Sequence, residues 1–541
     1  MRSPLKYRWI YVQTNLQVNE EAERVIALGE RAKKLGYNGI VIADTKLQRL
    51  GSVQPWYFTN AKRVLNALRR DGVDLIPCIF PIGYAEGMLA NDPNLAEGEP
   101  VLHARYRVQS GVAKIVATPG ETFQNGDMEM ATGEKLASMG FQDSPGVSTF
   151  IDRSVFKSGH QSLRIENPIA GMPGVGNCRI QQEVPVTPHR QYRVTAWVKT
   201  ADFDRASNFA IRVFDPEMKP LTTQEVHVGT NQDWVQVSVL FNSREARRCR
   251  IYLGVWEGNQ GKMWLDDVEL QEVGMVNLIR RRPDSVKVQK NGTDMKPGDD
   301  FVIVPPESRG FSSSAQEAVL KLADHSRAQE GDLLDVSFEH ATISADNQVA
   351  ICMGDPSTYA LMTDEAKRVN ELFSPSQFFF SHDEIRSANR DRACAALHLD
   401  AGALLAMNAR RAFDIVKSVS PRAECFIWSD MFDPNHNARA NYYDVAGDLT
   451  GSWAGLPKDA VIVNWYFAAR AKNLQFFSAH GWRQILAGFY DHDPTEIATW
   501  LKSANGVKGV DGVMYTTWTR NFSQLEAFAK AAGFLPAASS P

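Results

Sequence analysis

Residues 19–44 read NEEAERVIALGERAKKLGYNGIVIAD, and the change of period within this stretch decides the fold. Ala22, Val25, Ala32 and Leu35 fall near the spacing of a helix buried along one side, Gly36 supplies a left-handed stop, and GIVIAD is a continuous apolar run. The order is helix, glycine, strand. It returns at 61–83 as AKRVLNALRRDG followed by VDLIPCIFPIG, and YRWIYVQTN at 7–15 reads as an opening strand. Strands that are apolar on both faces are strands covered by helices, so these are βα units of a parallel sheet.

The pattern resumes at STYALMTDEAKRVNELF, 357–373, which reads as a helix leading into FFFSHDE. Taken together, the strands are WIYV, GIVIAD, DLIPCIF, FFFSHDE, CFIWSD, VIVNWYF, ILAGFYD and GVMYTTW. Eight is the number that closes a (β/α)8 TIM barrel. An open doubly wound sheet is the rival, but no glycine-rich dinucleotide fingerprint follows the first strand. Between the third and fourth strands the texture changes. Short alternating runs such as QYRVTAWVKT, DWVQVSVLF and MWLDDVEL, separated by turn residues, predict a β-sandwich. The expected organisation is α/β: residues 1–115 form the first part of the barrel, 116–275 an inserted β-sandwich, 276–345 a small β-rich bridge, and 346–541 the rest of the barrel. LLDVSFEH, inside the bridge, could instead be a barrel strand and shift the count by one.

With 59 basic and 63 acidic side chains, the net charge of -4 offers no footprint for nucleic acid. No run is long and apolar enough to predict membrane insertion. The N-terminus lacks the apolar core of a signal peptide, which leaves export undecided: secreted or periplasmic if a leader has been removed, otherwise cytoplasmic. The six cysteines show no CxxC spacing and predict neither a zinc site nor a disulfide scaffold, although Cys178 and Cys249 share the sandwich and could pair.

In a parallel barrel the chemistry gathers at the C-terminal strand ends. Those ends carry His382, Asp383 and Glu384; Trp428 and Asp430; Asn464, Trp465 and Tyr466; Tyr490 and Asp491; and Trp518. Carboxylates that move protons, beside indoles that stack on sugar C–H faces, suit acid/base work on a polyhydroxylated ring. An apolar strand gives Asp383 and Glu384 a rigid base, and a partly dry mouth can raise one pKa enough to make an acid. Strict alternation puts His382 and Glu384 on one side and Asp383 on the other, so both acids meet a ligand only if the strand ends there. The rest of the set, His382 included, is expected to bind substrate. Asp44, Glu86, His340, Tyr442 and Tyr443 are further candidate contacts.

Two resemblances follow. NGDMEM near 125, SGHQSLRI at 158–165, YRVTAWVKT at 192–200 and WLDDVEL at 264–270 resemble the family 4/9 type of carbohydrate-binding module, which implies a jelly-roll that often binds glycans, sometimes with a structural calcium. A fourth strand ending in Asp-Glu, with Trp428, Trp465, Tyr490-Asp491 and Trp518 on later strands, resembles glycoside hydrolase family 20, the β-N-acetylhexosaminidase group. That resemblance implies substrate assistance: Asp383 orients the 2-acetamido group, Glu384 protonates the leaving oxygen, Tyr490 holds the acetamido oxygen, Asp491 binds sugar hydroxyls, and the tryptophans form walls. The family's arginine after the first strand is absent from YVQTNLQV, and its final Trp-x-Glu reads Trp518-Thr519-Arg520. The expectation is a glycoside hydrolase with an oligosaccharide or polysaccharide partner. The alternatives are an inverting enzyme pairing Glu384 with Asp430 or Asp491, and a non-catalytic polysaccharide-binding protein.

Overall fold

The computed structural model describes residues 5–166, 176–258, 260–282, 285–307 and 310–535. The chain divides into two compact units, one from the described parts of Met1–Glu97, Ala350–Asn389 and Ala393–Pro541, the other from Gly98–Val349 and Arg390–Arg392.

The first unit is built on a closed barrel of eight parallel strands: β1 (Tyr7–Gln13), β2 (Gly39–Ala43), β3 (Asp74–Ile79), β4 (Gln377–Phe380), β5 (Glu424–Trp428), β6 (Val461–Asn464), β7 (Arg483–Phe489) and β8 (Val510–Thr516). Closure is made by β8 against β1, with Tyr7 opposite Gly512 and Ile10 opposite Tyr515. Alternate residues point inward, so Tyr7, Trp9, Tyr11, Ile76, Cys78, Phe379, Phe426, Trp428, Val463 and Met514 form one apolar plug. Large and small residues interlock within it. A Cβ at Gly39 would lie 2.5 Å from the Trp9 ring and 2.9 Å from Ile76, so the glycine is the hollow the indole fills.

Outside the strands lie α1 (Asn19–Lys34), α2 (Pro55–Asp71), α3 (Pro356–Phe373), α4 (Ala401–Val419), α5 (Arg470–Ala479), α6 (Glu496–Ser503) and α7 (Leu525–Ala531). Their ends are legible locally. Pro55 opens α2 and Gly72, at φ 69°, closes it, while the Asp355 side chain accepts from Ser357 N at the start of α3. The expected (β/α)8 TIM barrel is nevertheless not what forms. Helices are few, and from Trp428 to Val461 the chain carries only the 3-10 turns Asp430–Phe432 and Ser452–Gly455 and the short strand Asp444–Val445. Residues 433–451 are rich in Asn, Asp and Gly and have no helical period, so no helix covers the β5–β6 connection. The observed core is a closed parallel barrel with an incomplete helical ring, in a chain otherwise rich in β-structure. Among the described residues no helix is long and apolar enough to cross a membrane.

The second unit holds the sandwich. A five-stranded antiparallel sheet, ordered Gln232–Asn242, Gln191–Ala201, Lys262–Val273, Ser162–Glu166, Thr149–Asp152, shares one core with a four-stranded sheet, ordered Phe209–Phe214, Arg248–Val255, Cys178–Pro185, Phe141–Gln142. Val194, Val198, Val239 and Leu265 meet Ile180, Val213, Ile251 and Leu253 in that core. Cys178 and Cys249 are not joined: Cys178 pairs with Val255 and Cys249 with Val184, which sets them about 20 Å apart along the strands. The stretch LLDVSFEH is not a barrel strand. Leu333–Ala341 pairs with Gly98–Gln109 in a third sheet that also takes in Val112–Ile115, Val319–Leu322 and Phe301–Val304.

Candidate functional site

Strand β4 sets the site. Phe379 points into the barrel, 5.0 Å from Trp428 and 6.0 Å from Tyr11, whereas Phe380 points outward against Phe413 of α4 at 4.8 Å. The same alternation sends His382 outward. It is fully buried, Nε2 lies 3.0 Å from Asn408 Oδ1 of α4, and burial drives its pKa down to about 4, so it packs as a neutral ring under the helix layer. Asp383 lies on the Phe379 side and accepts from Ser381 Oγ at 2.8 Å.

Glu384 breaks the alternation. Its φ of 44° is left-handed, an uncommon state for a residue with a Cβ, and three contacts hold it there. Its N–H donates to Asp430 Oδ2 at 2.8 Å, and its Oε2 accepts from Tyr84 Oη at 2.6 Å and Arg386 Nη2 at 2.8 Å. Gly83 makes the approach of Tyr84 feasible, because a Cβ there would sit 2.9 Å from Asp383 O and 3.1 Å from Glu384 O. Arg386 is itself wedged between the rings of Tyr84 and Tyr443, at 5.7 and 5.3 Å.

Asp430 follows β5 and is fully buried. Its oxygens accept from Glu384 N, from Asn437 Nδ2 at 3.0 Å and from Trp465 Nε1 at 3.2 Å. Burial, and then the charge of Asp383, push its carboxyl up to about 7. Asp383 is pushed up to about 6 by burial and then by Glu384, against the Ser381 bond. Two neighbouring acids therefore titrate as a pair near neutral pH.

Aromatic rings surround these groups. Tyr11 is 5.5 Å from both Trp428 and Trp518, Tyr490 is 6.1 Å from Trp518 and 6.0 Å from Trp465, and Tyr466 stacks on His436 at 4.0 Å. Trp518 is 44% exposed, whereas Trp428 is 2% exposed. Two donors in this wall are buried: Trp428 Nε1 has no hydrogen-bond partner, and the Tyr490 hydroxyl lies against the Thr516 side chain. Phe489, Tyr490 and Asp491 are all left-handed, and that bend aims Tyr490 into the ring cluster.

Besides His382, two more of the residues read from sequence lie elsewhere. Asn464 is fully buried, alternates with the inward Val463, and donates to Gln484 Oε1 at 2.8 Å between the barrel and its outer layer. Asp491 accepts from Thr517 Oγ1, Thr519 Oγ1 and the N–H groups of Trp518 and Thr519. Burial raises its pKa, but these donors outweigh it and hold the carboxyl below its usual range, so Asp491 fixes the Trp518 loop. Asp44 is likewise occupied, by Leu16 N and Tyr57 Oη. His340, in the second unit, is buried against Asn242. Ser381, Tyr11, His436 and Asn437 were not singled out from sequence. Inward parity on β1 was a signal for Tyr11, but the residues after Phe432 carry no period to read.

In the sandwich the tryptophan faces are largely taken. Lys157 Nζ lies 3.9 Å over Trp197, Arg212 lies 4.6 Å over Trp256, and Trp264 is 7% exposed with Nε1 on Asp152. Among the described residues no three acidic, His or Cys side chains converge there, and Asp266 accepts from the N–H groups of Lys157, Ser158 and Asp267.

No protein-family profile and no curated protein matches this sequence. Among solved structures the chain is similar to the rhamnosidase from Novosphingobium sp. PP1Y, at 9% identity over 97% of this chain and 58% of that one, with a TM-score of 0.34. It is similar to the β-N-acetylhexosaminidase from Bacteroides fragilis NCTC 9343 at 15% identity over 36% and 42% of the two chains, TM-score 0.26, and to a CBM4 structure at 15% identity over 33% and 97%, TM-score 0.19. At such scores these likenesses decide neither the fold nor the activity of this chain, and they do not single out family 20.

Proposed function

We propose that the chain hydrolyses glycosidic bonds at the β4–β5 end of the barrel, and that its preferred sugar carries a 2-acetamido group. The observation that carries this reading is the presence of Asp383, an acceptor, and of the Tyr490 hydroxyl, a donor set beside Thr516, among aromatic rings. A secondary amide offers one N–H and one C=O, which that pair complements, while Trp465 and Trp518 supply apolar faces for the methyl group and the ring. In this mechanism Asp383 accepts the acetamido N–H and turns the carbonyl oxygen toward the anomeric carbon. Glu384, at the rim with 29% of its side chain exposed, donates the proton to the leaving oxygen. Asp430 holds the Glu384 backbone in its left-handed turn and keeps the Trp465 indole in place. The inverting alternative is less well supported, because Asp430 is fully enclosed and Asp491 is occupied by four donors.

A second reading has one observation in its favour. The Arg386–Glu384 ion pair suits a carboxylate that attacks as a nucleophile, with Asp383 then serving as the acid. Chromogenic glycosides with and without the acetamido group separate the two. Substrate assistance requires turnover of acetamido sugars, inhibition by a thiazoline analogue and no covalent adduct. A 2-fluoro glycoside trapped on Glu384 would establish the nucleophile instead. Under either reading Glu384→Gln lowers kcat by about 10²–10⁴ while binding persists, and wild-type protein that turns over no glycoside in a broad panel refutes hydrolysis altogether.

A further inference from the structure

Apart from the residues of the cup that the strand ends form around Asp383 and Glu384, three buried donor groups of the first unit converge: Glu97, Cys352 and Cys394 are each no more than 1% exposed. Cys352 Sγ lies 3.7 Å from Cys394 Sγ, and Cys394 Sγ lies 3.6 Å from Glu97 Oε2. Backbone pairing fixes two of them. Glu97 N donates to Ala350 O at 2.8 Å, Cys352 N donates to Leu95 O at 2.7 Å, and Ala96 bridges Ile351 between them. The third is brought in by a close crossing at Gly354, where a Cβ would lie 2.7 Å from Cys394 N and 2.8 Å from Ala393 C. The three donors therefore sit on three separately anchored segments and are not gathered by flexible side chains alone.

The spacings discriminate between uses of the pair. A disulfide needs sulfurs about 2.05 Å apart. Around a tetrahedral zinc ion with Zn–S of about 2.3 Å and Zn–O of about 2.0–2.2 Å, the S···S edge is about 3.8 Å and the S···O edge about 3.5–3.7 Å. The Cys352–Cys394 and Cys394–Glu97 distances match those two edges, and all three donor atoms lie within 4.8 Å of one another. Two thiolates and a carboxylate form a mixed soft and hard donor set that suits zinc and fits magnesium or calcium poorly. We infer that Glu97, Cys352 and Cys394 form a zinc-binding site that ties residues 95–97, 350–354 and 393–395 together. Its burial gives the ion no part in the glycosidic reaction. Cysteines 42 positions apart with no CxxC gave no sign of it in the sequence.

The test uses the full chain, purified under reducing conditions from cells supplied with zinc. Elemental analysis is expected to find about one zinc per chain. Cobalt(II) exchanged into the wild-type protein is expected to give a thiolate-to-cobalt charge-transfer band with tetrahedral d–d absorption. Cys352→Ser with Cys394→Ser abolishes both signals, and Glu97→Gln keeps the sulfur band while weakening affinity at least about 10-fold. The wild-type spectrum stands whether or not the variants fold. A reconstituted wild-type protein that retains no zinc and shows no cobalt–sulfur band overturns the assignment. So does zinc retained by the double variant, or a native Cys352–Cys394 disulfide found by mass spectrometry.

Discussion

Asp383→Asn is predicted to stabilise the protein above neutral pH while removing its activity. Burial, and then repulsion from Glu384, raise the Asp383 carboxyl from 3.8 to about 6. Two pKa units correspond to about 3 kcal/mol, and the partial exposure of this side chain reduces that to about 1–2 kcal/mol. The sign follows from proton binding. A raised native pKa means that the folded state holds the proton more tightly, so the contribution is fully present below about pH 4 and is lost as pH climbs through about 6. Asparagine does not ionise, and its Oδ1 can still accept from Ser381 Oγ. The variant therefore matches wild type at low pH and gains at pH 8, with a further gain because Asp430 loses the neighbouring charge that holds its own pKa near 7. Thermal unfolding at about pH 4.5 and pH 8 reads the difference, at roughly 2–4 °C per kcal/mol. Equal shifts at both pH values, or a variant weaker at pH 8, would mean that Asp383 is well solvated, and the dry cup would have to be abandoned.

Tyr490→Phe removes that donor: kcat on acetamido substrates should fall by about 10²–10³, with unfolding changed by no more than the one Thr516 contact, as steady-state kinetics and a melting curve would show. Trp518→Ala, at an exposed ring, should raise KM about 2- to 10-fold through lost stacking and leave the melting temperature nearly unaltered. Gly39→Ala places a Cβ 2.5 Å from the Trp9 ring and should cost about 1–3 kcal/mol in denaturant unfolding. A Gly39→Ala variant as stable as wild type would show that the plug repacks.

What the sequence made legible, and what it hid, follows from the range of the forces involved. The eight strands could be read because each is buried on both faces, which writes a continuous apolar run into the chain. The missing β5–β6 helix is legible as well, since the Asn, Asp and Gly of 433–451 lack any period. Parity alone places His382 under α4 and Asn464 against Gln484, so both could have been set apart from the mouth by the same alternation that turns Asp383 inward. Glu384 is different. By parity it too should face the helices, and only its left-handed backbone returns it to the rim. That conformation is paid for by Tyr84 from the loop after β3, Arg386 from its own loop, and Asp430 from the loop after β5. No local pattern encodes an arrangement supplied by contacts up to 300 residues away. The residue best placed to deliver a proton is thus the one whose position the sequence could not specify locally. If the turn is sustained as described, weakening Asp430 or Tyr84 should return Glu384 toward the helix side and disable it without touching its carboxyl.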